Sequence, residues 1–145
     1  MKVLERYKKT KMEGFKKFVQ NLETTEVKKR IDQFLNCVLE DPIFMDWVAK
    51  NIMTINDFFD FKSEELETIC QEIPQGISLL VKSFYKTPFE KSLLSVLSLE
   101  FKKEYEEEIK ERAPILTSRQ VEEAQFALIK QIRSLQEKNL IYGHP

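Results

Sequence analysis

The sequence holds few side chains that do chemistry, and their spacing argues against catalysis. The single histidine, His144, stands next to the C-terminal proline, where fraying is expected. A His–Cys dyad, a Ser–His–Asp triad and a two-histidine metal site all require a well-ordered histidine, which the sequence is not expected to supply. The three glycines are isolated, which removes the glycine-rich loops that bind nucleotide phosphates. We expect no enzyme activity, no cofactor and no metal.

A run of three carboxylates, Glu106 to Glu108, is the remaining candidate for acid–base chemistry. Neighbouring side chains on a helix point about 100° apart, so such a run does not converge on one substrate. The run is typical of a solvated helix face. It therefore indicates a surface rather than an active site.

The composition favours a helical fold. Of 145 residues, 42% are apolar and 32% are charged, with three glycines and five prolines, which is typical of an all-α protein. Basic residues number 23 against 24 acidic ones, so nucleic-acid binding by the whole molecule is not expected. Cys37 and Cys70 lie among apolar residues outside any Cys-x-x-Cys spacing, which predicts buried, reduced thiols. No long apolar run or signal peptide is visible, and we expect a soluble, cytosolic protein.

Residues 1–22 carry the main charge asymmetry. Seven basic side chains, Lys2 among them, stand against two acidic ones, a local net charge of +5. Apolar residues recur at helical spacing, which predicts a basic amphipathic helix interrupted near Gly14. Its basic face is either a docking surface for a membrane or an anionic partner, or a solvated face of a helix that packs through its phenylalanines.

Two helices follow this segment. Apolar residues at 27, 31, 34, 35 and 38 form one stripe and predict a core-facing helix. Asp41 is a helix cap, and Pro42 suits the first helical position. The buried face of the second helix is then predicted to hold Ile43, Phe44, Trp47 and Val48.

Capping signals divide the rest of the chain. Residues 87–90 (Thr-Pro-Phe-Glu) and 117–120 (Thr-Ser-Arg-Gln) both read as capping boxes, and the second predicts a last helix to about Gln136. Between them Ser98 is expected to cap a charged helix that ends near Arg112 and buries Phe101, Tyr105 and Ile109. Helices of this length suggest a bundle or an armadillo-type stack, and periodicity does not choose between the two.

In this order the segments resemble the C-terminal region of the flagellar motor switch family FliG. Residues 41–42 (Asp-Pro) are similar to the family's Asp-Pro-Glu-Leu helix start, and residues 52–55 (Ile-Met-Thr-Ile) to its Met-Phe-x-Phe hinge. Residues 112–115 (Arg-Ala-Pro-Ile) resemble its Gly-Pro-Val, and the helix from Val121 resembles its last long helix. The similarity covers about residues 24–142.

The resemblance implies a fold and a location. The fold would be an all-α, armadillo-like helical stack with a C-terminal six-helix subdomain. We expect the basic helix at 1–22, an armadillo-like unit with a hinge at 23–55, and the C-terminal subdomain at 56–145. The protein would lie in the cytoplasm at the flagellar basal body, on the inner face of the cell membrane, with peripheral membrane association through the motor. Its partners would resemble the stator protein MotA and the rotor protein FliM, in a homo-oligomer or ring.

In the family, a charged helix and an adjoining turn meet the stator. Carried over residue by residue, two acidic positions are retained as Glu107 and Glu108, whereas the earlier basic position is here Glu100. The basic residue before the family's turn falls at Ser83, and the one after Gly-Pro-Val falls at Leu116. The expected partner-binding residues are Lys82, Lys86, Glu100, Lys103, Glu107, Glu108 and Arg119.

Two further sets concern movement and assembly. The resemblance places a hinge at Ile52, Met53, Thr54 and Ile55. A short helical-repeat unit does not bury both faces of its helices alone, so a neighbouring molecule, or the N-terminal helix of the same chain, must supply a second layer. The expected assembly residues are Val27, Ile31, Phe34 and Val38.

The resemblance implies one function and leaves a second open. The first is a rotor or switch component that binds stator or other rotor proteins through the charged helix, transmitting torque and switching direction. The second is a structural or regulatory adaptor that has lost stator contact and docks through its basic N-terminal helix. The sign inversion at Glu100 favours the second.

Overall fold

A computed structural model describes residues 4–142, so Lys2 and His144 lie outside the described residues. Helices hold 76% of the described residues, and no strand occurs among them. The predicted all-α class is therefore confirmed. The chain forms two compact units that divide between Met53 and Thr54, and we call their described parts the N-terminal unit (residues 4–53) and the C-terminal unit (residues 54–142).

The N-terminal unit contains four helices: α1 (Glu5–Lys8), α2 (Met12–Glu23), α3 (Val27–Glu40) and α4 (Pro42–Asn51). Helix α2 packs against α1 and α4, and α3 packs against α4. Their shared core is apolar and includes the buried residues Leu4, Phe18, Val19, Leu22, Cys37, Met45 and Val48. The phenylalanines of α2 thus pack inward, as in the second of the two interpretations of the basic segment.

The break in the basic segment lies at residues 9–11 and not at Gly14, as the sequence had suggested. Lys11 has φ 56° and ψ −123°, and α2 starts at the next residue. Gly14 is buried within α2, where a Cβ atom would lie 1.7 Å from the carbonyl oxygen of Tyr7. The missing side chain lets α1 fold back closely onto α2.

Asp41 links the first helix of the N-terminal unit, α1, to the start of the last one, α4. Its carboxylate accepts a hydrogen bond from the Phe44 backbone N–H at 3.1 Å, which caps α4 as predicted. The same carboxylate accepts from Lys8 Nζ at 2.6 Å. These two donors, Lys8 first, lower the pKa of Asp41.

The predicted inward face of α4 is wrong at two residues. Phe44 and Val48 contribute to the core, but Ile43 is 72% exposed and Trp47 is 57% exposed. The apolar stripe of α3 is likewise divided, because Leu35 is exposed while Phe34 packs against the core. In both helices the apolar residues span a wider arc than the neighbouring helices cover.

The C-terminal unit contains six helical segments. A 3₁₀ helix (Ile55–Asp60) precedes α5 (Ser63–Glu72), α6 (Gly76–Phe84), α7 (Glu90–Val96), α8 (Leu99–Arg112) and α9 (Ser118–Glu137). Helix α6 packs against α5, α8 and α9. At its end Phe84 meets the rings of Phe58 and Phe59, with centroids 5.4 and 5.7 Å away.

The two predicted capping boxes have different outcomes. In the second, Gln120 N–H donates to Thr117 Oγ1 at 3.2 Å and Thr117 N–H donates to Gln120 Oε1 at 2.9 Å, so the box is confirmed. The first is wrong, since α7 starts at Glu90 itself. Thr87 N–H instead donates to the Phe84 carbonyl, and the Glu90 carboxylate accepts a bond from Tyr105.

The substitution Gly14→Ala tests the close approach of α1 to α2. Alanine is the better helix former by about 1 kcal/mol, so a loosely packed position would gain stability. Overpacking against a backbone carbonyl outweighs that gain, and we expect the free energy of unfolding to fall by about 1–2 kcal/mol in urea denaturation.

The control is Glu13→Ala, at an exposed neighbour on the same helix. Its stability should stay within about 0.5 kcal/mol of the parent chain. A Gly14→Ala chain as stable as the parent would contradict the contact between the two helices.

Candidate functional site

Helix α8 is fixed on its inner side by two aromatic residues. Phe101 is 7% exposed and Tyr105 is fully buried, and the helix packs against α6. The Ser98 hydroxyl caps its start, accepting a hydrogen bond from the Phe101 N–H at 3.3 Å. The Tyr105 hydroxyl donates to Glu90 Oε2 at 2.8 Å and so ties α8 to α7.

The outer side of α8 carries the charges. Glu100, Lys103 and Glu107 are exposed, as the pattern predicts for a solvated face. Glu108 is half-buried, and one of its oxygens lies 3.9 Å from an Arg112 nitrogen. An ion pair this long contributes little to stability. The exposed charges of this face are therefore open to solvent, and the stability of α8 depends little on ion pairs among them.

Lys82 and Lys86 flank the turn after α6. Both are exposed, and Lys86 takes a left-handed backbone with φ 59° while its Nζ lies 5.5 Å from the Tyr85 ring centroid. Ser83, where the family has a basic residue, is fully buried, and its carbonyl accepts from Gln125 Nε2 at 2.9 Å. A charged side chain at position 83 would have to occupy this buried place, and the exposed cations of the turn are Lys82 and Lys86.

Arg119 lies on a different helix from the other expected site residues. It stands in the first turn of α9, is largely exposed, and pairs with Glu123 at 3.4 Å. Helix α9 packs against α6, as α8 does. The seven expected partner-binding residues thus belong to α6, α8, α9 and the turn after α6.

The four expected hinge residues span the point where the two units divide. Ile52 and Thr54 have extended backbones, so neither α4 nor the following 3₁₀ helix continues through the segment. Met53 is buried, and its N–H donates to the carboxylate of Glu23. Thr54 forms a capping box with Asp57, with Thr54 N–H 2.7 Å from Asp57 Oδ2.

The four expected assembly residues divide into two pairs. Phe34 and Val38 are half-buried against the core of the N-terminal unit. Val27 and Ile31 are 48% and 52% exposed. Exposed apolar residues continue along α3 and into α4. We name them together the α3–α4 apolar stripe, which consists of Val27, Ile31, Leu35, Leu39, Ile43 and Trp47.

Sequence reasoning missed two features of the N-terminal unit. Leu39 is 88% exposed and continues the four-residue spacing of Val27, Ile31 and Leu35, so that spacing was a usable signal. Glu23 is a buried acid whose partner lies thirty residues away in sequence. No local pattern marks it.

Among residues 4–142 no group of three His, Cys, Asp or Glu side chains is placed to hold a metal ion. Burial, with Glu104 and Glu67 nearby, raises the pKa of the Cys70 thiol to about 12, so it is a poor nucleophile. In the same described range, no helix combines the length and the apolar content that a membrane crossing requires.

The described chain is all-helical and presents a charged helix face to the solvent, which is typical of a protein that binds other proteins. A family model described as FliG C-terminal domain matches residues 37–142. That match spans most of the chain, and the chain belongs to this family. The family is one of structural motor domains and not of enzymes, and it indicates a component of the flagellar motor switch. No curated protein matches the chain.

The substitution Tyr105→Phe tests how α8 is held. Loss of the hydroxyl removes the bond to Glu90, and we expect the free energy of unfolding at neutral pH to fall by about 1 kcal/mol. Burial, then the bond to Glu90, raises the pKa of Tyr105 above its ordinary value.

The raised pKa also predicts a pH dependence. The folded chain keeps the phenol proton where the unfolded chain releases it, so this stabilisation is complete below about pH 10 and is lost as the pH rises further. The phenylalanine variant should therefore lose less stability than the parent above about pH 10. Tyr142→Phe, at an exposed tyrosine, is the control and should match the parent in both respects.

Proposed function

We propose that this protein is a non-enzymatic rotor or switch component that binds a MotA-like stator protein through the charged face of α8. The main support is the division of α8 into a buried aromatic side and an exposed charged side with Glu100, Lys103 and Glu107. Membership of the FliG C-terminal domain family agrees with it. The turn from Lys82 to Lys86 extends the surface with two exposed cations.

The charge of this face determines the kind of contact. Glu107 and Glu108 keep the acidic character that the family's charged helix has, and Glu100 adds a third acid where the family is basic. Exposed charges act mainly on the association rate and on the choice of partner. We therefore expect a stator segment whose contacting surface is basic, at the cytoplasmic face of the basal body.

The second candidate is an adaptor that docks through its basic N-terminal segment. Lys9, Lys11 and Lys16 are exposed, and none forms an ion pair with a described residue. Lys8 is engaged by Asp41, and Lys17 lies near Glu13. An acidic protein, such as a FliM-like rotor protein with an acidic surface, or an anionic membrane, would then be the partner.

Residues 52–55 are proposed to act as a hinge between the two units. Support comes from the division of the chain after Met53 and from the extended backbones at Ile52 and Thr54. The hydrogen bond from Met53 N–H to Glu23 fixes the near end of the segment to the N-terminal unit. Movement would therefore begin at Thr54.

The α3–α4 apolar stripe is proposed to assemble copies of the protein into an oligomer or ring. Its six apolar residues are each at least 48% exposed, and four of them, Val27, Ile31, Leu35 and Leu39, recur every four residues along α3. The opposite side of α3 already packs against α2 and α4 through the shared core. A second helical layer is therefore needed on the stripe alone.

The substitution Glu107→Lys tests the charged face. We expect the chain to fold with unchanged thermal stability, because Glu107 is exposed, and to bind the cytoplasmic segment of a MotA-like stator at least about tenfold more weakly. Binding is measured by titration calorimetry, and motility by complementation.

Glu106→Lys is the matched control, with the same charge change on the same helix about 100° away. It should bind as the parent does. Equal binding by the parent and Glu107→Lys would rule out the α8 surface, and equal loss in both variants would reduce the effect to overall charge.

The substitution Ile31→Asp tests assembly through the stripe. A carboxylate at this half-exposed position leaves the core intact and prevents an apolar layer from covering it. We expect oligomers of the parent, observed by sedimentation velocity at micromolar concentration, to dissociate.

Asn36→Asp adds the same charge at an exposed polar position of α3 and should leave assembly unchanged. Phe34→Asp is unsuitable, since it places a charge against the core and unfolds the N-terminal unit. A monomeric parent, or association at micromolar concentration that is as strong in Ile31→Asp as in the parent, would contradict the proposal.

A further inference from the structure

An open groove of about 380 Å³ lies within the C-terminal unit between α5 and the start of α8. Its floor is apolar and includes Leu66, Leu97 and Phe101, each less than 10% exposed. On the α5 side two exposed acids, Glu64 and Glu67, form the rim. The groove therefore fits an apolar side chain that is flanked by positive charges.

The acidity of the groove extends beyond its rim. Glu104 of α8 is close enough to act, together with Glu67, on the Cys70 thiol at the groove wall. Neither Glu64 nor Glu67 forms an ion pair with any residue in the described part of the chain. Both carboxylates are thus available to an incoming cation.

The N-terminal unit carries a surface of the opposite kind. We name it the basic elbow, formed by Lys9, Lys11, Met12 and Lys16 where α1 turns into α2. Met12 is 61% exposed, and Lys16 lies one helical turn after it on the same side of α2. The positive φ of Lys11 and the close approach at Gly14 set the direction of the elbow. An exposed methionine among lysines matches an apolar groove with an acidic rim.

We infer that the α5–α8 groove receives the basic elbow of a second copy of this chain, with Met12 on the apolar floor and Lys11 and Lys16 against Glu64 and Glu67. Methionine suits this contact because its flexible thioether adapts to irregular apolar sites and packs well against aromatic rings such as Phe101. The two surfaces differ, so the contact is head to tail and separate from the α3–α4 apolar stripe.

The inference deepens the adaptor hypothesis and rests on it for the claim that the basic segment is a docking surface. Charge complementarity supports the second copy as the occupant. The described part of the N-terminal unit has ten basic and eight acidic residues, a net charge of +2, and that of the C-terminal unit has twelve and sixteen, a net charge of −4. Copies of one chain therefore attract each other through unlike units, and the attraction falls with added salt.

The test uses the full chain carrying Ile31→Asp, which removes association through the stripe. Self-association is measured by sedimentation velocity up to about 1 mM protein, at low and high salt. We expect association that weakens with salt. We expect it to weaken at least about tenfold in a Lys11→Glu, Lys16→Glu chain and in a Glu64→Lys, Glu67→Lys chain, since each reversal leaves like charges facing each other.

The decisive variant combines all four reversals in one chain. It restores the opposite signs of the two surfaces, so its association constant should return to within about threefold of that of the Ile31→Asp chain without reversals. Met12→Glu should weaken association through loss of the apolar contact. All these positions are exposed, and melting temperatures equal to the parent's would show that folding is unaffected.

Three results would overturn the inference. The first is an Ile31→Asp chain that stays monomeric across the concentration range. The second is unchanged association in either chain with a pair of reversals. The third is a fourfold variant that associates as weakly as those two chains. Vesicles with one third phosphatidylserine are tested in parallel. Vesicle binding that is lost on Lys11→Glu, Lys16→Glu, in a chain that does not self-associate, would keep the adaptor hypothesis and reject the second copy.

Discussion

The C-terminal unit depends on the burial of α6. Leu80, Val81 and Phe84 are each at most 2% exposed, and the helix that carries them is in contact with α5, α8 and α9. Burying a large apolar side chain contributes about 1.5–3 kcal/mol, so these residues account for much of the unit's stability. Helix α8 packs against α6 and buries Phe101 and Tyr105, so the burial of these apolar rings sets which charges reach the solvent. The outer face of α8 can therefore change its charges without changing the fold.

Sequence reasoning succeeded where the deciding contacts are local. The box at Thr117 and Gln120 needs two side chains three residues apart, and the cap at Asp41 needs a backbone N–H three residues on. The motif at residues 87–90 has the same local form, but Glu90 bonds to Tyr105, fifteen residues away. A tertiary partner outweighed the cap there, and nothing in the four-residue motif indicates it.

The α3 stripe shows a second limit of sequence patterns. Its apolar residues span a wide arc of the helix, and periodicity alone says that the arc avoids water without saying what covers each part. In the structure Phe34 and Val38 pack against the unit's own core, whereas Ile31 and Leu35 remain outside it. Tertiary packing decides this division, and helical periodicity does not contain it. The bond from Lys8 to Asp41, for example, joins residues 33 positions apart in the sequence.

The net charge of −1 hides a separation of charge that matters more than the total. The composition argues correctly against a positive field over the whole molecule, yet Lys9, Lys11 and Lys16 are gathered at one turn. Glu100, Glu104 and Glu107 lie within two turns of α8 and share its exposed side with Lys103. A surface of one sign attracts a complementary surface broadly, whereas alternating signs fix the register of a contact. The outer face of α8 combines an acidic excess, which favours basic surfaces in general, with the cation Lys103, which favours one register of a contact.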